Sequence, residues 1–511
     1  MVSLEVLIYI SLPIVEALKA ELLVETLNWC AMAKKLELPP GPFSYPIIGN
    51  AHLFAASSRL VDFMEMARQY GNVFRLYIGS ELTIIVNGRE AIKEAFVTKA
   101  ADFAGRRSSN TTAIYTHCGT ACNVGTQDYG PLWKLLRSVY LSAQKLYTDD
   151  DPKHAALVND EFDRLLQRIQ TKNGQPHDIK SDILLSVVNM YCAMMFGSRY
   201  DLDDPEFARL AEAESSIFHT FVTGTLADVF PILKIFPFKS IMSHKGYCKD
   251  QDEIIGRIHR EHVETNRVQN PRDLADALLK AKKEAEEEDP SNKGMVTDQH
   301  VVSLINEMFV GGAVNTTNVL SWALLYLIHN PSIQDMVHQE LDQVIGPDRL
   351  PDIMDKSRLP FLEATINETL RLATVIPLSV PHKTTVDTTL QGYHIPKDST
   401  VLPNLWSLHH DPDIWDAPND FRPQRFLDKE GKFVPPNPEH FVPFGIGIRD
   451  CFGGALAMVE LYLILARLLH TFKFESPPGC DLPSLKPIED VPFALEPQPF
   501  KLCAIKRHDK K

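Results

Sequence analysis

Between about residues 60 and 330, apolar positions recur at the spacing of one helix face, and Pro or Gly punctuates the helical stretches, as before Trp133 and after Asn330. Shorter stretches read as strand. "NVFRLYIG" (72–79) and "LTIIVNG" (82–88) predict a hairpin, and "TTLQGYHIPKDSTVLPNL" (388–405) predicts more sheet. The Pro-rich stretch 412–443 is too irregular for either element. The pattern predicts a mainly α body with small β sheets. One apolar helix runs from about Thr297 to Asn330, is ended by Pro331, and at about 1.5 Å per residue would cross most of a domain. Its centre is flawed: Gly311 and Gly312 are followed by Ala313, Val314, Asn315, Thr316 and Thr317.

Ahead of the body, "LPPGP" (38–42) is a stiff, non-helical hinge, so residues 1–37 read as a leader and 38–511 as one catalytic domain. In the leader, the apolar run Val6–Val15 contains Pro13 and has charges on both sides, whereas a membrane span needs about 20 apolar residues. Residues 3–33 therefore read as an interfacial anchor or as a packed leading helix. The formal charge of −14, from 52 Lys plus Arg against 66 Asp plus Glu, argues against a nucleic-acid surface. The eight cysteines form no Cys-x-x-Cys pair, which fits a reducing compartment and speaks against a metal framework, the i, i+4 pair Cys118 and Cys122 included. The charged run 280–294 reads as a solvated helix end and loop. His409 and His410, being adjacent, point apart and make a poor metal pair.

The most informative stretch is "FVPFGIGIRDCFGGALAMVELYLILARLL" (441–469). A glycine-rich loop presents Cys451 at the start of an amphipathic helix, a position expected to favour the thiolate. A phosphate-cradling loop would want a preceding strand and a Lys-Ser/Thr pair, and neither is here. Read as Phe444-x-x-Gly447-x-Arg449-x-Cys451-x-Gly453, continued by Leu456, Ala457 and Glu460, the stretch closely resembles the haem-binding signature of the cytochrome P-450 superfamily. Other motifs agree with it. "NETLRL" and "FRPQRF" carry Glu368, Arg371 and Arg425, which match the family's Glu-x-x-Arg helix and its arginine partner, a structural triad that is costly to break. Trp133 and Arg137 match a Trp-x-x-x-Arg helix, and Arg137, His382 and Arg449 match partners of the haem propionates. The likeness covers roughly residues 38–505, and its wording is that of the microsomal animal members. It implies a helix-rich prism around a buried haem b with Cys451 as axial thiolate ligand, and an intracellular location, either endoplasmic reticulum membrane-associated or cytoplasmic.

In that family the flawed helix passes over the iron, and its centre reads Ala/Gly-Gly-x-Asp/Glu-Thr. Aligned through Gly311 and Gly312, the acid falls on Val314 and the threonine on Asn315. Val314 cannot relay a proton, and Asn315 forms hydrogen bonds without titrating. Asparagine without the acid resembles prostacyclin synthase and the allene oxide synthase and hydroperoxide lyase group. The resemblance implies rearrangement or cleavage of polyunsaturated fatty acid hydroperoxides at ferric haem, without dioxygen or NADPH, with Asn315 and Thr316 as catalytic residues. The alternative is hydroxylation of a lipophilic substrate (steroid, fatty acid or xenobiotic) by a monooxygenase fed with NADPH electrons through a flavoprotein reductase. A third reading is a non-catalytic haem protein. In either enzymatic case Phe309, Val310, Ala313 and Val314, with Ser379 and Val380 on a facing segment, are expected to line an apolar pocket. The apolar stretch 230–238 falls where the family has a lid that touches substrate or membrane.

Overall fold

The computed structural model describes residues 37–508, apart from 46, 56–58, 120–121, 149–151, 266, 268 and 489–492. The expected leader, its candidate anchor included, lies outside the described residues except for Glu37. By its own contacts the chain divides into two compact units, one built from residues up to Arg107 with Leu378–Ser407, the other from Ser108–Pro377 and from Leu408 onward.

The first unit is organised by a four-stranded sheet. Strands β1 (Val73–Ile78) and β2 (Glu81–Val86) pair antiparallel, as the alternating pattern predicts. The two-residue link between them begins with Gly79, whose φ of 62° is the left-handed conformation that tight hairpins favour. Strands β3 (His382–Lys383) and β4 (Thr400–Pro403) complete the order β1-β2-β4-β3. Ile84, Ile85 and Val86 are fully buried, so the β-branched run of β2 supplies this unit's packing.

The second unit is helical. The helices that build the site are α1 (Pro131–Thr148), α2 (Ile179–Phe196), α3 (Pro205–Thr223), α4 (Lys239–Thr265), α5 (Asp298–His329), α6 (Pro360–Ala373) and α7 (Gly454–Thr471). Their ends follow local chemistry. Thr297 and His300 form a capping box at the start of α5, and Pro331 closes it. Asp178 caps α2, which stops at Gly197 with φ 62°. Leu304, Ile305, Leu320 and Leu324 of α5 are buried in one core with Val187 and Met190 of α2 and Leu461 and Ile464 of α7. Each such side chain contributes about 1.5–3 kcal/mol by leaving water. Helices α2 and α7 are long and apolar enough to cross a membrane, but 72% of each apolar window is buried inside the protein, so they serve as core helices. The charged run at 280–294 is the solvated helix end predicted for it, with i, i+4 pairs Lys280–Glu284 and Lys283–Glu287.

Helix α6 carries the Glu-x-x-Arg pair. Arg371 Nε donates to Glu368 Oε2 at 2.7 Å and Nη2 to Oε1 at 2.9 Å, and both side chains are fully buried. Arg425 Nε adds a third charge-assisted bond to Glu368 Oε1 at 3.0 Å. The remaining Arg371 donors reach the carbonyls of His409 and Pro418 at 2.6 and 2.8 Å, so the buried charge is satisfied on every side. His409 is itself structural: its ring nitrogens meet Thr374 Oγ1 and the amide of Val442.

Candidate active site

The cysteine loop is shaped by two glycines at φ 77°, Gly445 and Gly447, which let the chain turn twice before Cys451. The amide of Cys451 donates to the carbonyl of Phe444 at 2.7 Å, and the Phe444 ring sits on Gly454, where a Cβ would come to 3.2 Å of it. Cys451 has exposed surface, yet the protein encloses enough of it to push the thiol up from its usual range. The amide of Gly453 pulls the other way, Asp450 and Glu307 reinforce the rise, and Arg137 opposes it. Enclosure and two carboxylates thus act at this thiol against the amide of Gly453 and the guanidinium of Arg137.

Around the loop the structure gathers Trp133, Arg137 and Arg449. Trp133 is buried, and its indole N–H donates to the carbonyl of Val124 at 3.1 Å. Arg449 lies over the Trp133 ring, 4.4 Å from its centroid, and donates to the carbonyls of Val124 (3.1 Å) and Gln127 (2.9 Å). Its burial lowers the guanidinium's pKa to about 10. Arg137 pairs with Asp450 at 2.5 Å. Of the donors expected at a haem edge, Trp133 thus spends its proton on the loop, and Arg137 already faces an acid. His382 belongs to the first unit, where it is buried in β3 with Nδ1 at 2.8 Å from the carbonyl of Phe103 and its ring on Phe96.

The opposite wall is α5, which is buried along most of its length and opens at its flaw. Gly311 is exposed, a Cβ on it would meet nothing within 4 Å, and Asn315 one turn later is half-buried. The Asn315 amide donates to the carbonyl of Gly311 at 2.8 Å, while its Oδ1 is buried and has no hydrogen-bond partner among the described residues. Thr316 faces elsewhere: it is buried and donates to Glu460 at 3.3 Å. Thr317 bonds back to the carbonyl of Ala313.

The expected apolar wall divides in two, because residues four apart share a helix face and adjacent ones stand about 100° apart. Val310 and Val314 pack in one cluster with Tyr115, Ile217, Phe218 and Val222. Phe309 and Ala313 instead belong to the main core, with Phe309 stacked on Phe196 at 5.7 Å. Ser379 is half-buried with a φ of 55°, and Val380 is half-exposed, both in the first unit.

Sequence reasoning assigned no role to Glu307, whose carboxylate accepts the amides of Val124 at 3.0 Å and Gly125 at 2.5 Å. Its signal was present, as a lone acid in the apolar run 304–310 must find donors. Asp450, beside the cysteine, was likewise passed over.

Residues 39–504 match the cytochrome P450 family, so the chain belongs to that family. The steroid 17-alpha-hydroxylase/17,20 lyase of Gallus gallus is 35% identical over 461 residues, covering 90% of each chain. That of Homo sapiens is 32% identical over 465 residues (90% of this chain, 91% of the relative), and Cytochrome P450 2U1 of Bos taurus is 33% identical over 507 (94% and 91%). Membership makes this a haem-thiolate enzyme with a helix-rich fold and small sheets, as the sequence motifs predicted. The residues present fit that cofactor: a reachable thiol, an aromatic ring on the glycine that opens its helix, two guanidinium groups beside it, and a side-chain-free position on the facing helix with an unpartnered oxygen one turn on.

The comparisons correct one expectation. Rearrangement of fatty acid hydroperoxides rested on Val314 and Asn315, whereas nine-tenths of the chain resembles steroid hydroxylases. Two substituted positions in one helix weigh less than a likeness that spans the whole fold.

Proposed function

We propose that the protein is a monooxygenase of lipophilic, steroid-like substrates. The observation that carries this reading is the similarity, along nine-tenths of both chains, to steroid 17-alpha-hydroxylases. The apolar cluster of Val310, Val314, Ile217, Phe218 and Val222 supports a rigid hydrocarbon ligand. Overall, a substrate C–H bond, dioxygen, two electrons and two protons give an alcohol and water. NADPH would supply the electrons through a flavoprotein reductase, and a haem bound through Cys451, with Trp133, Arg137 and Arg449 beside the cysteine loop, would supply the site of dioxygen reduction.

The residues of α5 have defined tasks in this reading. Val314 excludes water and packs against substrate. Asn315 uses its free Oδ1 to hold a water donor, since an unpaired buried carbonyl costs about 1–3 kcal/mol. It orients that water without titrating, so the protons arrive through water and not through a side-chain acid. The exposed apolar side chains Ile235, Phe236, Phe238 and Met242 support contact with the endoplasmic reticulum membrane.

The test is incubation with a reductase, NADPH and progesterone under isotopically labelled dioxygen. A hydroxylated steroid carrying one labelled oxygen is expected. Consumption of a fatty acid hydroperoxide by the ferric protein alone, with no NADPH-dependent product from steroids, would overturn the reading.

A further inference from the structure

The turn of α5 behind Asn315 is tied to the cysteine helix by a carboxyl group. Glu460, on α7, is fully buried. Thr316 Oγ1 donates to its Oε2 at 3.3 Å, and the hydroxyl of Tyr191 on α2 donates to the same oxygen at 3.4 Å. Its other oxygen, Oε1, has no hydrogen-bond partner among the described residues. Enclosure pushes the group's pKa up to about 8, so it carries a proton at neutral pH and places no bare charge in the core. Tyr191 also presses on α5 directly: a Cβ on Gly312 would overlap its ring and hydroxyl.

Gly312 and Thr316, four apart, form one row on the helix surface, and this row is held by Tyr191 and Glu460. Gly311 and Asn315 form the next row, about 100° around the axis, and this row carries the exposed glycine and the unpartnered amide oxygen. Whatever sets the first row therefore aims the second. We propose that Glu460 is a positioning residue: it fixes the rotation of the distal helix about its own axis from the helix that follows Cys451, and so aims Gly311 and Asn315 at the position where a distal ligand binds. The inference rests on the reading of Asn315 given above, but not on the identity of the substrate.

The experiment uses the haem-loaded full chain and three variants, Glu460→Leu, Glu460→Gln and Thr316→Val. The infrared stretch of bound carbon monoxide and the dissociation constant of imidazole report the distal environment, and the thiolate-type carbon monoxide band reports Cys451. Glu460→Leu is expected to shift the stretch and change the imidazole constant several-fold with the thiolate band unchanged. Glu460→Gln, which keeps a carbonyl for both donors, is expected to match the parent, and Thr316→Val to move in the direction of Glu460→Leu by a smaller amount. Parental values in Glu460→Leu, or a Glu460→Gln that behaves as Glu460→Leu, would overturn the proposal. Should Glu460→Leu fail to take up haem, parental values in Thr316→Val overturn it. Asn315→Ala measured alongside separates the two readings, because an unmoved stretch there counts against the role of Asn315 and not against the register set by Glu460.

Discussion

The carboxylate of Glu307, on the distal helix, lies 2.5 Å from the amide of Gly125 and 3.0 Å from that of Val124. The carbonyl of the same Val124 accepts from Trp133 and Arg449 at 3.1 Å each. One residue of backbone thus links α5 to the two side chains that flank the cysteine loop. A Cβ at Gly125 would come within 2.4 Å of Glu307 Oε1, so the carboxylate would have to shift to make room.

Glu307→Ala is expected to lower stability by about 2–4 kcal/mol, the worth of two hydrogen bonds to a charged acceptor. Glu307→Gln should lose less, because it keeps a carbonyl. The denaturation midpoint and the rate of haem release to apomyoglobin check both. An unchanged release rate in Glu307→Ala would show that the loop holds without it.

Arg371→Ala leaves Glu368 charged at the centre of the second unit and three carbonyls without their shared donor. Breaking a buried pair of this kind costs about 3–5 kcal/mol. The expected outcome is a chain that expresses without the thiolate-type carbon monoxide band. A variant with parental haem content would mean that Arg425 and the backbone amide of Arg422 suffice for Glu368.

Asn315→Ala removes the bond to Gly311 and the free Oδ1 together. Under the proposed reaction, product per NADPH consumed should fall roughly tenfold, the equivalent of about 1.4 kcal/mol in positioning a proton donor. Hydrogen peroxide should rise to match. Product and peroxide measured in the same incubation decide it, and equal coupling in parent and variant would remove Asn315 from proton delivery.

Glu214 on α3 gives a pH dependence. It is fully buried, accepts from Gln251 Nε2 at 2.7 Å, and burial raises its pKa from the ordinary 4.5 to about 8. Below pH 4.5 both the folded and the unfolded chain hold this proton, and it adds no pH dependence. Between 4.5 and 8 the unfolded chain releases it while the fold retains it, so stability falls as pH rises, by at most roughly 1.4 kcal/mol per unit. Glu214→Gln removes this component, so melting curves of parent and variant at pH 5 and pH 8 should differ more at pH 8, with the variant ahead. A constant difference would show that Glu214 is ionised in the fold.

Local spacing carried most of what the sequence revealed. The cysteine loop, the Glu368–Arg371 pair and the hairpin at 73–86 are each set by residues a few positions apart, and the structure contains the loop's left-handed glycines, the buried ion pair and the antiparallel strands. The position of a side chain around the axis of α5 was not legible, because the flaw at 311–317 breaks the amphipathic pattern that would mark a buried face. For this reason the sequence groups Phe309 and Ala313 with Val310 and Val314, and sets Thr316 beside Asn315 as a catalytic residue. Partners such as Glu307 with Gly125, or Arg137 with Asp450, join segments far apart in the chain, and no periodicity announces them. The hydroperoxide reading failed for a related reason: it let one pair of substituted positions stand for a whole architecture.

The two adjacent rows of α5 also divide the labour. Gly312 meets Tyr191 and Thr316 meets Glu460, and these two partners are themselves hydrogen-bonded, whereas among the described residues Asn315 bonds only to a carbonyl of its own helix. Substitutions on the distal row can therefore be made one at a time while the row held by Tyr191 and Glu460 stays in register.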